Sequence, residues 1–323
     1  MLSEAEHEPR VAAGYVVAGD WGTSHLRLFL CDSAGVSIQS VTGPGAAASG
    51  GRFAATLDAL LAPWRERHGV LPVVLCGMVG SNIGWVQAPY LPAPILPAQI
   101  AQSCVSLEHG QVFIVPGLSC RNPFAVADYM RGEETQVLGA LRLNESLNSG
   151  RRILCLPGTH TKWVLVEDGC LREFFTAPAG EVFAVLRDHS VLVRNPSGGP
   201  TDMDAFDAAL RAFNAFPHAQ LLHRLFECRA RQLAGELSAS QAQSHLSGLL
   251  IASDVLGALQ LLNTDVPPRS VCLIGSPDLT RLYAAALGHQ GVDSLQIDGA
   301  AAVLAGLLAV HRLIPQGARK HAG

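Results

Sequence analysis

A nine-residue pattern occurs twice, once in each half of the chain. Gly22-Thr23-Ser24-His25-Leu26-Arg27-Leu28-Phe29-Leu30 can be set over Gly158-Thr159-His160-Thr161-Lys162-Trp163-Val164-Leu165-Val166. Each copy is a Gly-Thr turn rich in hydroxyls that runs into a strand. Asp32 and Asp168 both stand ten residues after the first glycine of their copy, and Gly35 and Gly169 then mark the next turn. A hairpin of this kind is common once. Repeated in both halves, it predicts two similar domains facing one another. The polar, turn-rich stretch Asn144–Arg151 marks their boundary. The expected division is a tail over 1–13, a first domain over 14–145 and a second over 146–323.

The rest of the chain alternates short apolar runs with helical spacing. Strands are expected at Tyr15–Gly19, Leu26–Cys31, Pro72–Cys76, Val112–Val115, Ile153–Leu156, Trp163–Val166, Leu171–Phe175 and Val271–Ile274. Helices are expected at Phe53–Arg67, Glu133–Leu143, Pro277–Leu287 and Ala300–Arg312. A long helical region spans Met203 to Leu262, broken near Pro217 and Ser238. Within it Met203, Phe206, Leu210 and Phe213 recur at helical spacing and read as core. His218 and His223 read as helix surface. The alternation argues for an α/β class.

Composition excludes several other classes. The 323 residues are 49% hydrophobic and 15% charged, so a sizeable core is available and a disordered chain is not expected. Lys+Arg is 23 and Asp+Glu is 27, a net charge of −4 without a basic block, which argues against nucleic acid. The longest apolar run, Ala300–Val310, falls short of the roughly 20 residues a membrane span needs. Residues 1–10 lack an apolar core and read as a frayed tail, not a secretory signal. The eight cysteines contain no Cys-x-x-Cys pair, and several lie in apolar runs such as Val271-Cys272-Leu273. They read as reduced core thiols of a cytoplasmic protein. Oligomerisation is left open.

Three turns carry the chemistry. In Gly19-Asp20-Trp21-Gly22-Thr23-Ser24, glycine lets the backbone approach a phosphate, and N–H groups and hydroxyls can bind its oxygens. Asp20 at the strand end can hold Mg²⁺ directly or through water. One copy alone would read as an ordinary hairpin turn. The second copy, Gly158-Thr159-His160-Thr161-Lys162, adds a facing phosphate loop. Val271-Cys272-Leu273-Ile274-Gly275-Ser276-Pro277 is a strand running into a helix start, where Ser276 either caps the helix or meets a nucleotide. There is no Gly-x-x-x-x-Gly-Lys-Ser/Thr loop, and no Gly-x-Gly-x-x-Gly follows the first strand. His160 has no partner at metal-ligand spacing.

These segments resemble the phosphate-1, phosphate-2 and adenosine motifs of the actin, sugar-kinase and heat-shock ATPase superfamily. The superfamily's adenosine motif has two adjacent glycines, whereas here the second is Ser276. Further segments narrow the likeness: Gly77-Met78-Val79-Gly80-Ser81-Asn82-Ile83-Gly84-Trp85 leading into Ala88-Pro89-Tyr90-Leu91-Pro92, then Asp128-Tyr129-Met130-Arg131-Gly132-Glu133-Glu134-Thr135-Gln136, and Ser247-Gly248-Leu249-Leu250-Ile251. In this order the set resembles the 2-dehydro-3-deoxygalactonokinase family over residues 14–312.

The resemblance implies two actin-like (ribonuclease-H-like) domains, each a mixed five-stranded sheet with flanking helices, around an interdomain cleft. It implies phosphoryl transfer from MgATP to the 6-hydroxyl of 2-dehydro-3-deoxy-D-galactonate. Asp20 would place the metal. Gly22, Thr23, Ser24, Gly158, Thr159, His160, Thr161, Lys162, Gly275 and Ser276 would hold ATP. Gly80, Ser81, Asn82 and Trp85 would line the sugar-acid site, and Arg131 would pair with the carboxylate. Glu133 is favoured as the group that takes the hydroxyl proton, with Glu134 and Asp128 still open. Consecutive helix residues point about 100° apart, so only one of the two glutamates can face the cleft squarely. Three other readings share these motifs: a kinase for the gluconate epimer or another sugar acid, an actin-like phosphohydrolase, and a non-catalytic ATP-binding or filament-forming protein.

Overall fold

β1 (Val16–Trp21) and β2 (His25–Cys31) form the first hairpin. In β2, Leu26, Leu28 and Leu30 are buried while His25 and Arg27 face out, the alternation of a strand with one face on a core. β3 (Ser37–Pro44) extends the hairpin at its edge. Its exposed Ser, Gln and Thr residues hide it from a hydrophobicity reading. The structure is a computed structural model and describes residues 14–107, 110–195, 199–216, 220–262 and 268–315. The tail at 1–13, the helix break at Pro217 and the side chain of His218 lie outside the described residues.

After α1 (Phe53–His68), β4 (Val73–Gly77) pairs parallel to β1 and is buried throughout, as a central parallel strand must be. β5 (Tyr90–Pro92), α2 (Pro97–Gln102), β6 (Val105–Leu107), β7 (Val112–Ile114), β8 (Gly117–Arg121), β9 (Ala127–Met130) and α3 (Glu133–Leu143) complete the first half. The first sheet has the order β3-β2-β1-β4-β7-β6. It has six strands instead of the expected five, because β6 pairs antiparallel to β7 and closes that edge. β5, β8 and β9 form a separate small sheet.

The second half repeats the plan. β10 (Arg151–Leu156) and β11 (Thr161–Glu167) form the matching hairpin, and β12 (Cys170–Ala177) extends it. Then follow α4 (Ala179–His189), α5 (Met203–Ala215), the short α6 (Leu221–Arg224) and α7 (Glu227–Leu233), and α8 (Ala239–Leu261). β13 (Ser270–Gly275), α9 (Pro277–Gly288), β14 (Asp293–Asp298) and α10 (Gly299–Leu313) end the chain's described part. The sheet order is β12-β11-β10-β13-β14, with β13 parallel to β10 as β4 is to β1.

Side-chain caps start three of the described helices, α5, α8 and α10. Ser238 accepts from the Gln241 amide and Gln241 reaches back to Ser238, a capping box that starts α8 and gives the break expected there. α8 is long and apolar enough to cross a membrane by composition, yet Leu246, Leu249, Val255 and Ala258 pack into the second core with Phe206, Leu210 and Phe213 of α5.

α3 and α10 lie between the two large sheets. Their residues share one core with Ala18 and Val74 of the first sheet and Leu154, Val164 and Ile274 of the second. The helices cross at backbone distance. A Cβ on Gly139 would sit 1.7 Å from the Ala302 carbonyl oxygen, and one on Gly306 would sit 1.9 Å from that of Thr135. No side chain fits there without separating the helices. Gly306→Val is expected to destabilise the protein by about 3 kcal/mol or more. Urea unfolding reads this directly, and an unchanged midpoint would show that the crossing is looser than described.

Candidate active site

Parallel pairing brings the two repeated turns together. β1 and β4 end on one edge of the first sheet, and β10 and β13 end on one edge of the second. These ends face each other across a cleft of about 620 Å³. Asp20, Gly22, Thr23, Arg131, Glu133, Gly158, Thr159, His160, Gly275 and Ser276 all line it. Ser24 opens on the adjoining recess with Asp20 and Arg27. Ser276 holds the N-cap position of α9 but makes no side-chain cap bond, so its hydroxyl is left for the cleft.

Asp20 accepts a hydrogen bond from Arg27 Nη2 at 2.7 Å. His160 Nε2 lies 2.7 Å from Glu181 Oε2, which ties the second turn to the start of α4. Arg131 reaches over the Tyr90 ring, 4.2 Å from its centroid, and Nη2 donates to the Ala88 carbonyl at 2.8 Å. Its Nη1 is buried and has no hydrogen-bond partner among the described residues. A guanidinium left with a free donor beside a cleft is suited to an anion.

The structure separates the two glutamates. Glu133 and Gln136, one turn apart on α3, face the cleft. Glu133 accepts from the Arg131 amide at 3.1 Å. Burial pushes its carboxyl up, opposed by the Lys162 charge and by backbone N–H donors. Glu134 is fully buried, accepting from the Gly132 amide at 2.6 Å and the Thr135 hydroxyl at 3.0 Å. Gly132 makes this turn with φ of 105°, a conformation that favours glycine. Burial, followed by the Glu133 charge, pushes Glu134 up to about 8. Because the folded state holds this proton more tightly, stability falls as pH rises from roughly 4.3 through about 8. Glu134→Gln should therefore flatten thermal stability across that window, with its gain over the wild type growing toward pH 9. A parallel pH dependence in both proteins would count against a buried neutral Glu134.

The remaining expected residues stand elsewhere. Asp128 accepts from the Thr176 amide at 2.9 Å and its hydroxyl at 2.6 Å, joining the small sheet to β12. Lys162 is buried, donating to the Tyr129 carbonyl at 2.9 Å and Thr176 Oγ1 at 2.7 Å. Thr161 is buried with its hydroxyl 2.9 Å from that of Tyr283. Neither Thr161 nor Lys162 lines the cleft: both lie on β11, past the turn, where side chains enter the sheet's packing. Gly80 lies beneath Arg131, since a Cβ there would be 2.9 Å from Nη1. Ser81 is buried and donates to the Met78 carbonyl, Trp85 packs on the first core, and Asn82 is exposed. These last three are not part of the cleft lining.

Sequence reasoning missed Arg27, Gln136, Asp298 and Gly299, all of which line the cleft. Asp298 accepts from the Ala301 amide at 2.8 Å and caps α10. The signal was available: Asp298-Gly299-Ala300 directly precedes an apolar helical run. All eight cysteines are free thiols, most of them buried. Burial holds Cys76, Cys155 and Cys272 above the usual thiol range, as for inert core residues.

Two sheets of matching order, with glycine- and hydroxyl-bearing turns facing across a cleft, define an actin-like sugar-kinase fold. The family model described as 2-keto-3-deoxy-galactonokinase matches residues 20–310. A relative from Rhizobium meliloti, named as a probable 2-dehydro-3-deoxygalactonokinase, is 36% identical over 94% of this chain and 98% of its own. The Escherichia coli 2-dehydro-3-deoxygalactonokinase is 34% identical over 91% and 96%. A crystal structure from Sinorhizobium meliloti named for the same kinase superposes with a TM-score of 0.84 at 34% identity, covering 93% and 99% of the two chains. The chain belongs to the 2-keto-3-deoxy-galactonokinase family.

Proposed function

We propose that this chain transfers the terminal phosphoryl group of ATP to the 6-hydroxyl of 2-dehydro-3-deoxy-D-galactonate, in the breakdown of D-galactonate. The observation that carries the reading is the placement of Glu133 and Arg131 on one wall of the cleft, facing the Gly158–His160 turn on the other. In this arrangement the free Nη1 of Arg131 holds the substrate carboxylate. Gly22, Thr23, Ser24, Gly158, Thr159, His160, Gly275 and Ser276 hold the nucleotide. Glu133 orients the acceptor hydroxyl. The hydroxyl oxygen attacks the γ-phosphorus, the bond to the β-bridging oxygen breaks, and ADP leaves. The hydroxyl proton passes to Glu133.

Among the described residues no group of three His, Cys, Asp or Glu side chains could hold a metal alone. Of the three cleft carboxylates, Asp20, Glu133 and Asp298, Asp20 beside the first turn fits a hard cation that nucleotide phosphates and water largely coordinate. When bound, Mg²⁺ would neutralise charge on the phosphates. Residues 14–145 and 146–323 would serve as the two lobes, whose closure excludes water as a competing acceptor. The free thiols fit a cytoplasmic setting.

The test is ADP release in a coupled assay with MgATP and one of four acceptor conditions: the galactonate-derived keto acid, its gluconate epimer, plain galactonate, and none. Turnover with the first alone is expected. Equal rates with both epimers would widen the substrate class to keto-deoxy sugar acids. Turnover without acceptor would replace the kinase reading by a phosphohydrolase, and nucleotide binding without turnover by a non-catalytic protein.

A further inference from the structure

A second cavity, of about 200 Å³, lies behind the Gly158 turn. It shares Gly158 and Leu279 with the main cleft, so the two spaces adjoin. Phe183 of α4, Leu250 and Ile251 of α8 and Leu282 of α9 give it apolar walls. Two of its polar groups are engaged elsewhere. Ser244 Oγ donates to the Ser240 carbonyl and accepts from the Asp202 amide, both at 2.9 Å. The Tyr283 hydroxyl donates to Asp254 at 2.6 Å. Gln243 differs: its Oε1 is buried and has no hydrogen-bond partner among the described residues.

A buried acceptor without a donor is costly and calls for an explanation. A ligand that brings its own donor supplies one. The adjoining phosphate turns require that ligand to be anionic at one end. The apolar walls suit an apolar body at the other, carrying a donor for Gln243. A nucleotide with an exocyclic amine meets all three conditions.

We propose that Gln243 is the residue that determines nucleotide specificity, with Oε1 accepting a hydrogen bond from the 6-amino group of adenine. The proposal rests on the ATP reading above and adds the residue that reads the base. Hypoxanthine is the sharpest probe, because it carries a carbonyl acceptor at position 6 in place of the amine. Glutamine also carries an NH₂ group that can turn toward a carbonyl. The discrimination is therefore finite, on the order of tenfold for one hydrogen bond.

Calorimetric titration of the full chain with ADP and with IDP, in Mg²⁺, tests this without any sugar acid. The wild type should bind ADP about tenfold more tightly than IDP. Gln243→Leu, and independently Gln243→Met, should bind both nucleotides alike, at roughly the wild type's IDP affinity. Retained IDP binding shows that the variants are folded. The proposal is overturned by a wild type with no preference, by variants that keep it, or by equal losses for both nucleotides. Failure of both nucleotides to bind the wild type would remove the ATP reading together with it. Nucleotide binding with this preference, but no turnover on any sugar acid, would overturn the kinase reading alone.

Discussion

Glu133→Gln is expected to lower kcat by about 10²–10⁴-fold while leaving the KM for ATP near the wild-type value. The size follows from the role. Glutamine keeps the shape and can still accept a hydrogen bond from the acceptor hydroxyl, but it cannot take the proton. The pH profile gives a second readout. A base acts only when ionised, and burial raises the Glu133 carboxyl above the ordinary range. The wild-type rate should therefore fall as pH drops through that raised value, giving an acid limb above the roughly 4.3 of an exposed glutamate. In the glutamine variant this limb should vanish. Glu134→Gln is the matched control, because a neutral amide replaces a carboxyl that is already protonated at neutral pH. If Glu134→Gln abolished turnover and Glu133→Gln spared it, the assignment would reverse.

Asp20→Asn is expected to lower kcat by about 10²–10³-fold, the typical cost of removing one group aimed at transition-state charge. The substitution preserves size and keeps an acceptor for Arg27, whose 2.7 Å bond to Asp20 holds this end of the cleft. What it removes is one negative charge beside the phosphates. The defect should deepen when Mg²⁺ is limiting and be partly relieved by excess metal. A variant with wild-type turnover at every metal concentration would exclude Asp20 from metal placement. Folding should be little affected, since the Asp20 side chain is partly exposed and its isostere keeps the Arg27 bond.

The legible part of the site was the part made by short stretches of chain. Gly22-Thr23 and Gly158-Thr159 could be read because a tight turn between paired strands needs those residue types in immediate sequence. Ser276 before Pro277 was legible as a helix start, but not as a hydroxyl left without a cap bond. Thr161 and Lys162 belong to the same motif as Gly158, yet the strand carries them into the sheet, where Tyr283, Tyr129 and Thr176 engage them. β3 and β14 escaped the hydrophobic pattern because edge strands face solvent and carry polar residues. Gln243 was invisible, since its meaning lies in the partner it lacks within a cavity built by three helices.

The sequence by itself determined the hairpins, the buried parallel strands, the helix starts and the family, because each depends on residues a few positions apart or on an ordered set of motifs. Only the tertiary structure decided which glutamate faces the cleft. Glu133 and Glu134 are chemically identical neighbours, and their difference is the rotation of α3 about its axis. That rotation is fixed where the Thr135 carbonyl lies against Gly306 of α10 and Gly139 lies against Ala302. These contacts, between residues 171 (Thr135 to Gly306) and 163 (Gly139 to Ala302) positions apart, turn Glu134 into the core and leave Glu133 and Gln136 on the cleft. Backbone packing at that crossing has no local signature, so it could be read only once the chain had folded.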